Sequence, residues 1–323
     1  MGNSIAFETA RHHYRLYGRH ICSEYPMPLP SVPEHEPDIT IHFAGFKPKI
    51  LSQSPNPSAR EWIESNGRHF LRFYNYQGHM LEFRFSSNGK RVDISQSWPE
   101  WQDSLFALMN PAMAAAITLQ GGTVLHGSSL VYNNQSILIS GVSEAGKSTL
   151  STALAAEGLS LHSDDLGIIT QNDDQFSIAP GYDRIKIQPG VLEVLNLKSL
   201  ALHPVTTSIA DEVEKWLCAD DLPGGFYSQP APLAAIFVLD RRSNQINHPE
   251  TELLSPLKAG MILTGHLYGS EWLNPPGPPT LSVCSEIAIA VPVYRITMPD
   301  DLTRLIPSAQ TLINEVIKPV TKP

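Results

Sequence analysis

The segment Gly141-Val142-Ser143-Glu144-Ala145-Gly146-Lys147-Ser148-Thr149 fits the spacing G-x-x-x-x-G-K-[ST]. An apolar run of strand length, Ser136–Ser140, leads into it, and the helix-forming run Leu150–Glu157 leaves it, closed by Gly158. A strand, a glycine-rich loop and a helix in that order form a phosphate cradle, the P-loop. The glycines let the backbone curl so that successive N–H groups point inward at anionic oxygens. The helix N-terminus adds the positive end of its dipole. In such a loop Lys147 places a point charge on β- and γ-phosphates, and Ser148 offers its hydroxyl to Mg²⁺. The remaining loop residues, Gly141, Ser143, Glu144, Ala145, Gly146 and Thr149, are candidate nucleotide contacts. Glu144 stands where a glycine is more usual, so its carboxylate is expected to point outward, toward an acceptor.

The pattern around the loop sets the fold class. From about residue 106 onward, short apolar runs (Thr123–Leu125, Ser136–Ser140, Gly167–Thr170, Ala234–Leu239) alternate with helical stretches (Lys147–Glu157 and the 190s). Such a pattern predicts an α/β domain whose sheet is covered on both faces. Asn133-Asn134 predicts a hairpin turn into the loop strand. Residues 1–105 read differently. Tyr14–Tyr17, Asp38–Phe43, His69–Tyr74, Met80–Phe85 and Arg91–Ile94 alternate apolar and polar residues, with turns at Gly18 and Ser86–Lys90 and a connector over 26–38 that holds five prolines. This predicts a β-rich N-terminal module over 1–105 that binds a substrate or partner, and a P-loop domain over 106–323. A helix over 102–121 joins them, stopped by Gly121-Gly122.

Composition narrows the function. The chain of 323 residues has a formal net charge of −9, which disfavours a nucleic-acid partner held by phosphate contacts. Residues 1–110 are balanced at 11 basic and 11 acidic, so the excess acid lies in the second part. Cys22, Cys218 and Cys284 are too few and too far apart for a disulfide framework or a metal motif, and read as free thiols. The longest apolar stretch, near Pro111–Leu119, is far short of a bilayer span, and no secretory h-region opens the sequence. The expectation is a cytoplasmic protein with no membrane partner.

Further candidates flank the loop. Asp164-Asp165 falls between two strand-like runs, where a P-loop protein brings acid to the metal and the attacking group. One acid can hold Mg²⁺ and the other can take the acceptor's proton. His126-Gly127 ends an upstream strand and would lie beside the phosphates. Arg184 or Lys186 can pair with phosphate, although both also suit a solvated strand face. Arg241 or Arg242, after the strand Ala234–Leu239, can stack on a base or touch phosphate, or simply cap the surface. The acidic stretch Ile209–Leu222 reads as a lid facing a basic peptide, or as a solvated helix. Asn274–Pro279 reads as a stiff surface loop.

His126-Gly127, the loop Gly141–Thr149 and Asp164-Asp165, in this order and spacing, resemble the HPr kinase/phosphorylase superfamily, over about residues 120–200. The resemblance implies a core like that of phosphoenolpyruvate carboxykinase, with ATP and Mg²⁺ as cofactors. It implies a histidine near the transferred phosphate (His126), phosphate and metal ligands at Lys147 and Ser148, and an aspartate acting as base toward a serine hydroxyl. Asp164 is the first choice for that base, with Asp165 as metal ligand. The wider pattern, including Pro180–Arg184, Leu233–Arg241 and Val291–Ile296, is similar to HPr kinase-related proteins of bacterial peptide-modification clusters, the lasso-peptide kinases among them. That subgroup implies a ribosomally made precursor peptide as acceptor. Where the bifunctional HPr enzymes carry a Glu before an Arg-Gly pair, this chain has Ile178-Ala179-Pro180-Gly181, so phosphorylase activity is not expected. Those enzymes are hexamers, which leaves a homo-oligomer open. A nucleotide-sensing module with little turnover and a small-molecule (serine) kinase are the other readings.

Overall fold

The computed structural model describes residues 11–44, 60–65, 68–74, 79–97, 101–172, 175–204, 215–270 and 278–321. It is a mixed α/β structure of two compact units, residues 1–105 and 106–323.

The first unit is one seven-stranded sheet. Its strands are β1 (His12–Leu16), β2 (Arg19–Ser23), β3 (Ile39–Phe43), β4 (Arg60–Ser65), β5 (Arg68–Tyr74), β6 (Met80–Phe85) and β7 (Arg91–Gln96), in the spatial order β1-β2-β3-β7-β6-β5-β4. Tyr17 and Gly18 both take positive φ, 53° and 71°, and so fold β2 back on β1. The proline-rich connector carries the chain across to β3, which runs parallel to β2 and to β7. Alternation buries Ile39, Ile41, Leu71, Leu81, Phe83, Val92 and Ile94. Glu82 is buried too, held at 2.6 Å by both Arg72 and Arg84. The alternating runs predicted β1, β3, β5, β6 and β7, but not β2 or β4.

In the chain, α1 (Trp101–Ala107), a π-helical segment Leu108–Ala112 and α2 (Met113–Leu119) occupy the stretch expected to be a single helix. Pro111 lacks the N–H that an unbroken α-helix needs there, and the extra residue per turn absorbs it.

The central strands of the second unit are β8 (Thr123–Tyr132), β9 (Gln135–Gly141), β10 (Ser160–Ser163), β11 (Leu166–Asn172) and β12 (Gln175–Ala179), with α3 (Lys147–Ala156) after β9. Then come β13 (Arg184–Ile187), α4 (Pro189–Val194), β14 (His203–Pro204), β15 (Lys215–Cys218), β16 (Ala231–Leu239), β17 (Glu250–Leu253), α5 (Pro256–Gly265), α6 (Pro278–Ala290), β18 (Val293–Thr297) and α7 (Leu305–Leu312). Asn133 and Asn134, at φ 49° and 60°, make the tight turn from β8 to β9. Strand β9 lies between β8, antiparallel, and β16, parallel.

Along β9 and β16 successive side chains enter opposite cores, as strand geometry requires. Ile137, Ile139, Phe237 and Leu239 pack with Leu150, Leu154 and Ala309 of α3 and α7. Leu138, Ile236 and Val238 pack with Leu263 and Ile287 of α5 and α6. The sheet is thus buried on both faces. None of the helices among the described residues is long and apolar enough to cross a membrane. All three cysteines are free thiols, with Cys22 and Cys284 buried.

Two expectations need correction. The described part of the acidic stretch 209–222 is not a helix: Lys215–Cys218 form β15 against β13, and Ala219–Asp221 form a 3-10 turn. Trp216 and Leu217 are buried there, an apolar pair that the neighbouring acids mask in the sequence. Residues 209–214 lie outside the described residues, as do Met1–Ser4 and 274–277. Pro278 and Pro279 do not continue a loop but open α6, where proline's fixed φ suits the first helical turn.

Gly127 shows how tightly the hairpin is built. A Cβ there would stand 2.5 Å from the Ile139 carbonyl oxygen, whereas one at Gly190 would meet nothing within 4 Å. Gly127→Ala should therefore cost about 1–3 kcal/mol by overpacking. Gly190→Ala should be neutral or stabilise by about 0.5–1 kcal/mol. Thermal melts of the two variants check the contrast.

Candidate phosphate-binding site

The loop 141–147 is an arch between β9 and α3. Strand β16 ends beside its first residue, with Leu239 opposite Gly141, so Asp240 and Arg241 emerge next to the loop. The Ala145 amide donates to the Val142 carbonyl at 3.2 Å and tightens the turn. Gly146, at φ 99°, is the left-handed residue from which α3 starts. Glu144 also takes positive φ, 65°, which explains why glycine suits this position better and where the side chain goes: it is exposed. The first-turn amides of α3 have no intrahelical acceptor and so remain available to an anion.

Lys147 is buried beneath the arch. Its Nζ donates to the carbonyls of Gly141 and Val142, both at 3.0 Å. Burial lowers its pKa, while the charges of Asp165 and Asp164 oppose that shift. The acid pair is therefore electrostatically in contact with the loop lysine.

The chain's path explains how the acids get there. Strands β10 and β11 run as one broken strand along β8: Ser163 lies opposite Ser129, and Leu166 opposite His126. The extra residue of this path lies earlier, between Leu161 and Ser163, and the strand breaks at Asp164-Asp165 in a tight turn: the Leu166 amide donates to the Asp164 carbonyl at 2.8 Å, with Asp165 at φ 64°. The turn takes both acids out of the alternation. The Asp165 carbonyl accepts from the Gly127 amide at 3.1 Å. The Asp164 carboxylate turns inward and is only 1% exposed. Its Oδ1 accepts from Ser128 Oγ at 2.5 Å and lies 3.4 Å from Ser148 Oγ. Its Oδ2 accepts from the Lys186 amide at 2.9 Å. Burial first, then the neighbouring Asp165, push the Asp164 pKa up to about 6, against the pull of these donors. Asp165 is partly exposed, and its Oδ2 lies 3.8 Å from Lys186 Nζ, which also stands over the Phe106 ring at 5.0 Å. Tyr182 is buried beside the pair: burial and both carboxylates push its hydroxyl pKa upward, and it exchanges hydrogen bonds with Asn110 at 3.0 and 3.2 Å. Asn110 comes from the π-helical segment.

A cleft of about 580 Å³ opens beside the loop, lined among others by Val142, Ser143, Glu144, Arg241 and His266. His266 follows α5. Its Nδ1 lies 3.1 Å from Ser140 Oγ, and its backbone carbonyl accepts from the His126 amide at 2.9 Å. Burial, and then the Lys147 charge, lower its pKa, so it is neutral near pH 7. His126 itself is half-buried and edge-on to Tyr268, 5.7 Å between ring centres.

The structure thus gathers Lys147, Ser148, Asp164 and Asp165 in one place, with Ser143, Glu144 and Arg241 on the adjoining cleft. Arg184 is not brought to the loop by any described contact; its guanidinium sits 3.9 Å from Asp183. Lys186, the other cation of β13, is the one beside the acids. Sequence reasoning gave no role to Ser128, His266 or Tyr182. Ser128 follows the His126-Gly127 signal directly, whereas His266 has no local motif to mark it.

Hard oxygen donors at Ser148 and Asp164 suit Mg²⁺, which takes one or two carboxylates and completes its shell with phosphate and water. No cluster of three or more His, Cys, Asp or Glu side chains able to hold a metal occurs among the described residues.

No family model matches the sequence, and no curated protein does. Among solved structures, that of the Hpr(Ser) kinase/phosphatase from Coxiella burnetii is similar at 16% identity and a TM-score of 0.31, covering 60% of this chain and 97% of its own. At so low a TM-score the reading of the site rests on its own geometry.

The raised Asp164 pKa has a thermodynamic consequence. A carboxyl whose folded value lies above its ordinary one favours the protonated folded state, and the stability it contributes is lost as pH rises through about 6. Asp164→Asn removes the buried charge and keeps the shape. The variant should melt a few degrees above the unsubstituted chain at pH 8 and with little difference at pH 4. Equal offsets at both pH values would contradict the assignment.

Proposed function

We propose that the chain is an ATP- and Mg²⁺-dependent phosphotransferase acting on a serine hydroxyl. The observation that carries the proposal is the convergence of a buried loop lysine, a loop serine and an acid pair at a strand break. The acids shift the lysine's pKa, and Asp164 lies 3.4 Å from the serine hydroxyl. This set matches what phosphoryl transfer needs, namely positioning and charge compensation rather than covalent chemistry.

The steps follow from the residues. Incoming β- and γ-phosphate oxygens take the Lys147 ammonium from the carbonyls of Gly141 and Val142. The arch amides and the N-terminus of α3 complete the anion's shell. Ser148 and Asp165 would hold Mg²⁺, which would neutralise phosphate charge. The acceptor hydroxyl gives its proton to Asp164 as its oxygen bonds to the γ-phosphorus. The bond from that phosphorus to the β–γ bridging oxygen breaks, and the nucleoside diphosphate leaves. A pKa near 6 poises Asp164 for this work at neutral pH. Lys186 Nζ lies 3.8 Å from the Asp165 carboxylate beside it. Ser128 and the Lys186 amide fix the orientation of Asp164. His126 and Arg241 are assigned to the acceptor and phosphate surroundings on the sequence resemblance.

A precursor peptide is the proposed acceptor, on the resemblance of motifs alone. The cleft beside Glu144 and Arg241 is the place where such a chain would present its serine. A cytoplasmic location and a homo-oligomer belong to the same reading.

Incubating the full chain with γ-labelled ATP, Mg²⁺ and a library of serine-containing peptides tests the proposal. Label should enter peptide, Lys147→Ala should abolish it, and Asp164→Asn should bind ATP without transfer. If Asp165→Asn abolishes transfer while Asp164→Asn only raises the Mg²⁺ needed, the two acids exchange roles. Tight nucleotide binding with no labelled product from peptides or free serine would favour a nucleotide sensor instead.

A further inference from the structure

Beyond the phosphate arch lies a second, smaller cavity of about 240 Å³. Ala145, Gly146, Thr149 and Leu150, the far end of the arch and the first turn of α3, form one wall. Met298, Pro299, Leu302 and Leu305 form the other. Its volume falls below the roughly 300–1,000 Å³ of pockets that enclose a whole small ligand. It suits part of a ligand whose remainder lies elsewhere.

That remainder has a place to lie. The cavity and the larger cleft share Ala145, Arg242 and Asp300, so the two spaces adjoin around the arch. The Arg242 guanidinium is 3.7 Å from Asp300 at this junction. On the rim, Asp301 is committed to capping the next turn, accepting from the Thr303 amide at 2.9 Å and from its hydroxyl at 2.7 Å.

One polar side chain is left over. Ser308, on α7, is 1% exposed and lines the cavity, and its Oγ has no hydrogen-bond partner. Helical serines and threonines ordinarily satisfy the hydroxyl on the carbonyl four residues back. Thr152, Thr264, Ser285 and Thr311 all do so, at 2.8 to 3.0 Å. Ser308 does not. A buried hydroxyl without a partner is costly, and its retention against an apolar hollow marks a place where a ligand supplies the partner. Apolar walls with a few polar groups, here Thr149, Ser308 and the charged rim that includes Arg304, are the pattern of a pocket for a flat heteroaromatic ring.

We propose that this cavity is a nucleoside subsite. It holds the base and sugar of the nucleotide whose phosphates the arch grips, and Ser308 is its hydrogen-bonding contact. The inference rests on the phosphate-loop reading above and adds to it the end of the ligand that loop chemistry does not define. Met298 and Leu305 supply the apolar faces, and Thr149 stands where phosphate gives way to sugar.

Equilibrium binding of ATP and of inorganic tripolyphosphate to the full chain, both with Mg²⁺, tests it. The unsubstituted chain should bind ATP more tightly than tripolyphosphate. Ser308→Ala should weaken ATP about two- to tenfold, as loss of one neutral hydrogen bond does. Ser308→Leu, which fills the cavity, should weaken ATP further. Neither variant should change tripolyphosphate affinity. Equal affinity of the unsubstituted chain for both ligands would overturn the proposal, and so would variants that retain full ATP affinity or lose both ligands alike. Binding of tripolyphosphate alone would overturn the subsite and leave the loop reading standing. Binding of neither would overturn both.

Discussion

The site depends on one buried carboxylate. Asp164 is closed off from water, yet it is surrounded by donors from three separate stretches of chain: Ser128 from β8, Ser148 from α3 and the Lys186 amide from β13. A carboxylate in such a place is expensive unless it is met by donors or stays protonated. The donors here meet it without fully offsetting its burial, so its pKa rises to about 6. That incomplete compensation keeps the group able to exchange a proton near neutrality, a property that a fully paired structural acid would lack. The tight turn at Asp164-Asp165 makes this possible, because an unbroken strand would turn the two side chains to opposite faces.

The arch and the acid pair are coupled through Lys147. Among the described residues the ammonium meets the carbonyls of Gly141 and Val142 and the field of two carboxylates, and burial lowers its pKa. Phosphate oxygens would supply what it lacks. The arch has its own tension, since Glu144 occupies a left-handed conformation that glycine would adopt at less cost. Glu144 is exposed and lines the cleft.

The features local in sequence were legible before the fold was known. The strand, loop and helix around Gly141–Thr149, the Asn133-Asn134 turn and most strands of the first unit follow from spacing and turn chemistry. What escaped is set by register and long-range pairing. That β10 and β11 are one strand broken at the acids depends on their common partner β8, and the sequence shows only two short apolar runs. His266 reaches the cleft because α5 ends against β8 and β9, more than a hundred residues away in the chain. The buried β15 was hidden by the acids around it, where Trp216 and Leu217 alone carried the strand signal. Of the two cations on β13, alternation could not tell which faces the acids, and the structure selects Lys186.

The most direct measurement is a crystal structure of the full chain with a non-hydrolysable ATP analogue and Mg²⁺. The account predicts phosphates within the arch, the Lys147 ammonium moved from its carbonyl partners onto phosphate oxygens, and the terminal phosphate facing Asp164 and Asp165. An analogue bound elsewhere, with Lys147 still on the carbonyls of Gly141 and Val142, would contradict it.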